Sequence, residues 1–176
     1  ASGLLACQDT GSGKLPEPQV LLDWISRSLA REKTLAGVRV TVTAGPTQES
    51  LDPVRYLTNH SSGRMGYAIA REAMLRGARV TLISGRTALE PVPFVEMRPV
   101  TTAADMLREV QEALPKTEIL IKAAAVADYR PATVGTEKIK KSDGDLSIAL
   151  ERTNDILGWL GQNRRDGQFL CGFSME

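Results

Sequence analysis

A polar segment between Gly45 and Gly66 carries the residue types best suited to binding an anion in this chain of 176 residues. Ser61-Ser62-Gly63 precedes a helical pattern, and the free N–H groups at a helix start attract phosphate. Arg55, Asn59 and His60 lie in the same segment, although a surface turn and simple packing remain alternatives for Arg55 and His60. Dinucleotide folds use a short glycine turn here, so the longer segment favours nucleotide chemistry over cofactor docking alone.

A second group, Ala123 and Ala124 followed by Asp128, lies where another strand is expected to end. Small residues let a flat ring approach the backbone amides, and a carboxylate can accept hydrogen bonds from ribose hydroxyls. The alternative for Asp128 is a cap or turn residue before Pro131. These residues therefore predict part of a nucleotide pocket, with that structural alternative open.

Two polar runs complete the candidate chemistry. Lys138 lies in the charged run Glu137–Lys141, where it could neutralise phosphate charge, although most such runs are solvated surface. Thr153-Asn154-Asp155-Ile156 opens a helical pattern, in which Asn and Asp are also ordinary caps.

The elements that must position these residues alternate between strand and helix patterns. This alternation predicts an α/β fold, a doubly wound (Rossmann-like) parallel sheet with helices on both faces and ligands at the carboxyl ends of the strands. The predicted strands are 38–43, 79–84, 94–98, 118–126 and 168–173, and the predicted helices are 61–77, the stretch behind a capping box at 102–105, and 155–160. In helix 61–77 we expect Met65, Ala68, Ile69 and Ala73 on the buried face, and Gly77 at the C-cap.

The chain divides near Gly37 into a segment 1–36 and a domain 37–176. Residues 1–18 are rich in Gly, Ser and Pro, and an apolar pattern at Leu21, Leu22, Ile25 and Leu29 predicts a helix that leans on a neighbour or is mobile. The predicted last strand ends near Phe173, so we expect the domain to be truncated at its carboxyl end.

Composition limits the possible partners. The net charge is +1, from 22 Lys plus Arg against 21 Asp plus Glu, which gives no support for nucleic-acid or membrane binding. No secretory signal and no membrane-spanning apolar run is present, and the two cysteines form no disulfide framework, so we expect a reduced, cytoplasmic protein. With one histidine, a zinc site built by the protein is improbable.

Five motifs, in order, resemble the phosphopantothenate–cysteine ligase family, the synthetase part of bifunctional coenzyme A biosynthesis proteins. They cover about residues 37–176 and are Thr43–Thr47, Leu51–Tyr56, Asn59–Gly63 with Met65-Gly66, Ala124–Tyr129 and Glu137–Lys141. Residues 1–18 resemble the end of a flavin-dependent phosphopantothenoylcysteine decarboxylase, with Gln8, Lys14 and Leu15 departing from its pattern. By that resemblance Cys7 is a remnant of the decarboxylase site, and FMN belongs only to a missing decarboxylase domain.

The resemblance implies CTP-dependent ligation of phosphopantothenate to L-cysteine through an acyl-cytidylate, with Mg²⁺ at ligands that stay unassigned, in a homodimer. It implies roles in catalysis for Asn59, Lys138 and Arg55. The nucleotide-binding set that it implies is Ser61, Ser62, Gly63, Lys122, Ala123, Ala124, Asp128, Lys138, Thr153, Asn154, Asp155, Ile156 and Phe173.

Two alternatives belong to other classes. An NAD(P)-binding reductase would carry Gly-x-Gly-x-x-Gly after strand 38–43 and a Tyr-x-x-x-Lys pair, and the sequence has neither. A non-catalytic fragment that folds or binds nucleotide is the other alternative. The choice of CTP over ATP rests on the resemblance alone.

Overall fold

The computed structural model describes residues 2–4, 10–12, 15–140 and 144–173. The first part is a short hairpin followed by a helix, and the rest alternates between strands and helices. In chain order the elements are β1 (Ser2–Leu4), β2 (Thr10–Ser12), α1 (Pro18–Leu29), β3 (Arg39–Ala44), β4 (Gln48–Ser50), β5 (Tyr56–Thr58), α2 (Arg64–Leu75), β6 (Arg79–Ser84), β7 (Glu96–Pro99), α3 (Ala103–Ala113), a 3₁₀ turn (Leu114–Lys116), β8 (Ile119–Lys122), β9 (Tyr129–Pro131), β10 (Leu150–Arg152), α4 (Ile156–Asn163) and β11 (Phe169–Gly172).

A five-stranded parallel sheet forms the centre of the molecule, with strand order β11-β8-β3-β6-β7. Because the chain runs outward from β3 through β6 to β7 and then returns to the other side of β3, the order reverses between β3 and β8. In parallel α/β sheets such a reversal is where ligands bind, beyond the carboxyl ends of the strands. The predicted doubly wound α/β fold is therefore confirmed.

Two hydrophobic clusters cover the two faces of the sheet. Side chains of successive strand residues point to opposite faces, so Leu82 joins one cluster and Ile83 joins the other. The first cluster packs α2 against β3 and β6, and the second packs α3 and α4 against β8. Helices therefore lie on both faces, as predicted.

Helix α3 follows its sequence signals closely. The Thr102 hydroxyl accepts a hydrogen bond from the Asp105 N–H, and the Asp105 carboxylate accepts one from the Thr102 N–H. Met106, Leu107 and Val110 are buried behind this capping box. The local cap and the apolar spacing act together, so this helix could be predicted well.

The buried face of α2 agrees with the prediction in part. Ala73 is buried and Ile69 packs against the first cluster, as predicted, whereas Met65 is 47% exposed and Ala68 is exposed. Gly66 and Ala70 are buried instead. A Cβ on Gly66 would lie 2.5 Å from the Cβ of Ala44, so this glycine is what lets the first turn lie directly on β3. The close approach accounts for the burial of Gly66, which the predicted face did not include. Gly77, with φ +90°, follows the helix end as expected.

The strand predicted over 118–126 is shorter in the structure, because β8 ends at Lys122. The following residues leave the sheet and bond to the loop after β3. The strand predicted at 94–98 lies at β7, two residues later at its start, because Phe94 takes a left-handed φ of 62°. The hairpin of β4 with β5 and the ribbon of β9 with β10 were not predicted.

Helix α1 leans on the domain, as one of the two expectations for it stated. The Trp24 and Phe94 ring centroids are 4.7 Å apart. Just beyond the end of the helix, the Arg31 guanidinium donates to the Glu72 carboxylate of α2 at 3.0 Å. No residue of α1 is buried, so contacts with its neighbours leave much of its apolar side exposed. Within the described residues, no helix is long and apolar enough to cross a membrane.

Candidate functional site

The loops after β3 and β8 pair with each other at the point where the strand order reverses. The Ala125 N–H donates to the Gly45 carbonyl at 2.9 Å, and the Thr47 N–H donates to the Ala125 carbonyl at 3.2 Å. The buried Thr47 hydroxyl also accepts a hydrogen bond from the Ala127 N–H at 2.9 Å. These contacts close the gap between the two strand ends, so any ligand must lie beside this pairing.

The backbone amides of Ala123 and Ala124 are already occupied. The Ala123 N–H donates to the Thr43 carbonyl at 3.2 Å, and the Ala124 N–H donates to the Thr43 hydroxyl at 3.3 Å. Ala124 is also buried. These two amides are therefore not available to read the edge of a base, although the small side chains do permit the close pairing of the loops.

The start of α2 lies on the other side of the pairing. Gly63 takes a left-handed φ of 75°, and the Ser61 and Ser62 hydroxyls accept weak hydrogen bonds at 3.3 and 3.5 Å from the N–H groups of Gly63 and Arg64. The N–H groups of Met65 and Gly66 follow in the first turn, for which a helix provides no internal acceptor. This arrangement can receive a phosphate oxygen in place of solvent.

Asn59 connects the start of α2 with the loop after β8. Its side-chain Nδ2 donates to the Val126 carbonyl at 3.0 Å, and the neighbouring Thr58 hydroxyl donates to the Thr47 carbonyl at 2.7 Å. Asn59 itself remains exposed. Its side-chain amide therefore makes a structural contact between the two segments.

A cavity of about 440 Å³ opens between the loop after β8 and the start of α4. Two hydrogen bonds fix its walls: the Thr153 N–H donates to the Asp128 carbonyl at 2.9 Å, and the Thr153 hydroxyl donates to the Ala127 carbonyl at 2.6 Å. The Asp155 carboxylate caps α4 by accepting from the Gly158 N–H at 2.9 Å. The lining residues are Lys122, Val126, Ala127, Asp128, Tyr129, Arg152, Thr153, Asn154, Asp155 and Ile156.

Two cationic side chains, Lys122 and Arg152, line this cavity. Within the described part of the chain, neither Lys122 nor Arg152 forms an ion pair with a carboxylate. Lys122 is half-buried at the end of β8, where a cation is less hydrated than on an open surface. The polar groups of Asp128 and Asn154 face the same space. The cavity therefore suits a small ligand with both an anionic group and hydrogen-bonding groups.

The structure brings together only part of the predicted site. Lys122, Asp128 and Thr153–Ile156 line the cavity, whereas Ser61–Gly63 lie outside the lining, at the start of α2. The exposed Phe173 follows β11, and its N–H donates to the Lys122 carbonyl at 3.1 Å. Val126, Ala127 and Tyr129 also line the cavity and belong to the predicted motif Ala124–Tyr129, although the sequence assigned them no individual role. Sequence reasoning missed Arg152, for which no local signal existed, because its position depends on the ribbon of β9 with β10.

Arg55 has a structural partner that the sequence did not indicate. Its Nε and Nη2 donate to the Asp52 carboxylate at 2.9 and 2.6 Å, and Nη2 also donates to the Ile139 carbonyl at 2.8 Å. The Arg55 guanidinium and backbone N–H groups hold the pKa of Asp52 well below its usual range. Arg55 and Lys138 lie outside the cavity lining, Lys138 is exposed, and Cys7 and Lys141 lie outside the described residues.

The fold and the cavity define an α/β protein with a ligand-sized cavity at the carboxyl edge of a parallel sheet. The family model described as "DNA/pantothenate metabolism flavoprotein C-terminal domain" matches residues 35–176. The chain belongs to this family.

Similar proteins extend the match to the whole chain. The Bacillus subtilis coenzyme A biosynthesis bifunctional protein CoaBC is 45% identical over 179 residues, covering 100% of this chain and 44% of that protein. A cysteine/cysteine sulfinic acid decarboxylase from an unknown prokaryotic organism is 42% identical over 180 residues, covering 99% of this chain and 50% of that protein. The crystal structure of the C-terminal domain of a CoaBC protein has a TM-score of 0.70 and 47% identity, covering 79% of this chain and 65% of that one.

These findings correct the functional assignment drawn from sequence. The matched family is described as a flavoprotein domain, and the relatives are named for coenzyme A biosynthesis and, in one case, for a decarboxylase. None of these names describes a ligase or mentions CTP or Mg²⁺. We therefore replace the phosphopantothenate–cysteine ligase by the family that matched, and we do not retain the CTP-dependent ligation. The restriction of FMN to a missing domain is also not retained, because the family description itself contains the word flavoprotein.

The fit of a flavin can be tested against the cavity. The cations, hydroxyls and amides around it suit the phosphate and the hydroxylated chain of FMN. A three-ring flavin also needs flat apolar walls, and the described wall offers few: Tyr129, which is 47% exposed, is its only aromatic residue among the described lining. The residues therefore fit the phosphate part better than the ring.

Proposed function

We propose that this chain is the domain of a coenzyme A biosynthesis enzyme that binds a phosphorylated pantothenate derivative at the carboxyl edge of its sheet. The observation that carries the proposal is the half-buried Lys122, which has no ion-pair partner in the described part of the chain and faces a polar cavity. The pantothenate metabolism named by the family and the coenzyme A biosynthesis named by the relatives supply the chemical class of the ligand.

The chain spans about 44% of the length of the Bacillus subtilis relative, so the activity of a whole enzyme is itself part of this proposal. Phosphopantothenate combines the groups that the cavity can receive. Its phosphate suits Lys122 and Arg152, and its hydroxyl and amide groups suit Asp128 and Asn154. L-Cysteine as a second substrate and a homodimer as the assembly stay predictions.

The test is calorimetric titration of the chain with phosphopantothenate, with pantothenate, which lacks the phosphate, and with FMN. We expect phosphopantothenate to bind at least about tenfold more tightly than pantothenate, because a charge-assisted hydrogen bond to phosphate contributes roughly 1.5 to 3 kcal/mol. Equal binding of the two would overturn the phosphate role of the site. Tighter binding of FMN would redirect the proposal to the flavin.

A pair of lysine variants locates the binding. Lys122→Met should weaken phosphopantothenate binding about tenfold, since it removes the cation and keeps the length of the side chain. Lys116→Met is the matched control, because Lys116 lies before β8, at the opposite edge of the sheet. A loss of affinity in both variants, or in neither, would mean that the ligand does not bind in this cavity.

A further inference from the structure

A second cavity, of about 270 Å³, lies between strand β4, the start of α3 and the ribbon of β9 with β10. A water molecule occupies about 30 Å³ in the liquid, so this space is large enough for a small organic molecule. Of their described lining, the two cavities share only Thr153 and Asn154. The second cavity therefore has a wall of its own, next to the site proposed for the phosphate.

Glu49 contributes the most deeply buried charge to this wall. It lies in the middle of β4, and only 4% of the residue is exposed. Its Oε1 accepts a hydrogen bond at 2.7 Å from the N–H of Ala103, the first residue of α3. Its Oε2 has no hydrogen-bond or ion-pair partner in the part of the chain that the structure describes. Half of this carboxylate is thus satisfied by the fold, and half is not.

The unpaired oxygen of Glu49 must face the cavity. Among the described residues that are buried or half-buried, every polar side-chain atom shut off from solvent has a hydrogen-bond partner. Because Oε2 of Glu49 has none, it must reach open space, and the open space that Glu49 lines is this cavity. The cavity therefore holds an acceptor without a donor, on a side chain that is otherwise buried.

The charges around the cavity leave Glu49 without a cation. The Arg130 guanidinium donates to the Glu151 carboxylate at 2.8 Å, so these two lining residues neutralise each other. The start of α3 carries a partial positive charge of roughly half an elementary charge, but the Asp105 carboxylate also lies there, in the capping box. The remaining negative charge on Glu49 favours a ligand that brings a positive charge and a donor.

We propose that this cavity binds a small organic amine, with its primary ammonium group on Oε2 of Glu49 and its apolar body against Ala104, Pro131 and Val134. An ammonium group is a donor only and carries the missing charge, whereas a hydroxyl would leave the charge uncompensated and a carboxylate would be repelled. A metal ion suits the site less well, because the described residues contain no group of three or more His, Cys, Asp and Glu side chains that could hold one. This inference does not rest on the proposed function.

Titration of the chain with three ligands of similar size tests the recognition of charge. The ligands are benzylamine, benzyl alcohol and benzoate, and the amide chemical shifts of the chain locate each of them. Benzylamine should bind about tenfold more tightly than benzyl alcohol, since a charge-assisted hydrogen bond is roughly twice as strong as a neutral one. The shifts that change should include those of Ala103, Ala104 and Ala132. Equal binding of amine and alcohol, tighter binding of benzoate, or changes confined to other regions would overturn the proposal.

A matched pair of variants tests the role of Glu49. Glu49→Gln removes the charge and keeps an oxygen that can accept from the Ala103 N–H, so the preference for benzylamine over benzyl alcohol should disappear. Glu112→Gln makes the same change at an exposed position in the last turn of α3 and should keep the tenfold preference. A preference that survives in Glu49→Gln would show that another group binds the amine.

A second variant tests the cavity if Glu49→Gln does not fold. Ala104 is exposed on α3, and leucine is nearly as good a helix former as alanine, so Ala104→Leu fills the cavity and leaves the helix intact. It should weaken the binding of benzylamine and of benzyl alcohol at least about tenfold, because both lose the same space. Wild-type affinity for benzylamine in Ala104→Leu would mean that the amine binds outside this cavity, and the proposal would fail.

Discussion

Gly66→Ala should destabilise the domain even though alanine is the better helix former. The new Cβ would lie 2.5 Å from the Ala44 Cβ, 3.0 Å from the Thr43 carbonyl oxygen and 3.1 Å from the Ala44 Cα. All three neighbours belong to the buried central strand β3, so none of them can move without disturbing the sheet.

The magnitude follows from two opposing effects. Overpacking in a well-packed core costs about 1 to 3 kcal/mol, and the upper part of that range applies here because the contacts are with rigid backbone and a buried methyl group. Replacing a helical glycine by alanine returns about 0.5 to 1 kcal/mol. The expected net loss is therefore about 1 to 2 kcal/mol, which for a domain of this size lowers the melting temperature by roughly 2 to 8 °C.

Gly161→Ala is the matched control. Gly161 lies in α4 and is exposed, and a Cβ added to it would meet no heavy atom within 4 Å, so only the gain in helix propensity applies. Thermal and urea unfolding should show a lower melting temperature and unfolding free energy for Gly66→Ala, and higher values for Gly161→Ala. If Gly66→Ala were as stable as Gly161→Ala, the close seating of α2 on β3 would be wrong, and the position assigned to the start of α2 would be wrong with it.

Three further perturbations test other parts of the structure. Folding lowers the pKa of Asp52 from 3.8, so its ionised carboxylate stabilises the fold above that pH. The difference in unfolding free energy between wild type and Asp52→Asn, measured by urea unfolding at each pH, should be constant from about pH 5 to 8. It should shrink as the pH falls below 3.8, because the carboxylate is then protonated. Met106→Ala empties a fully buried position of α3 and should cost about 2 to 5 kcal/mol in the same assay, and a loss below about 1 kcal/mol would contradict the packing of the second cluster. Asp155→Ala removes the cap of α4 and should cost about 1 kcal/mol, while Asp155→Ser should recover most of it; equal stability of the two variants would mean that the cap contributes nothing.

The parts of the fold that could be predicted are those specified by local patterns. Alternating or continuous apolar runs marked β3 and β6, and the Thr102–Asp105 capping box with its apolar stripe marked α3. The alternation of these elements was enough for the doubly wound sheet, because parallel neighbours require crossover helices.

The parts that could not be predicted depend on distant partners. Strands of three residues, such as those of the β4–β5 hairpin and the β9–β10 ribbon, carry too little pattern to be seen in sequence. The orientation of α2 depends on one glycine lying against Ala44, and Asp52 has its key partner 87 residues away.

The candidate site was also predictable only where its residues follow from local patterns and the order of the strands. Lys122, Asp128 and Thr153–Ile156 follow strand ends or open a helix, so their proximity follows from the topology. Motif resemblance specified coenzyme A biosynthesis, which agrees with the names of the relatives, but it also specified a ligase reaction that those names do not support. Which bond a site makes or breaks depends on atoms that the motifs alone do not place.

The most direct test of the account is mapping of amide chemical shifts by NMR as phosphopantothenate is added to the chain. We predict that the shifts which change belong to the residues lining the cavity, among them Lys122, Asp128, Arg152 and Asn154. Changes confined to the opposite edge of the sheet, around Arg79 and Lys116, or no change at saturating ligand, would contradict a phosphate-binding site at the carboxyl edge.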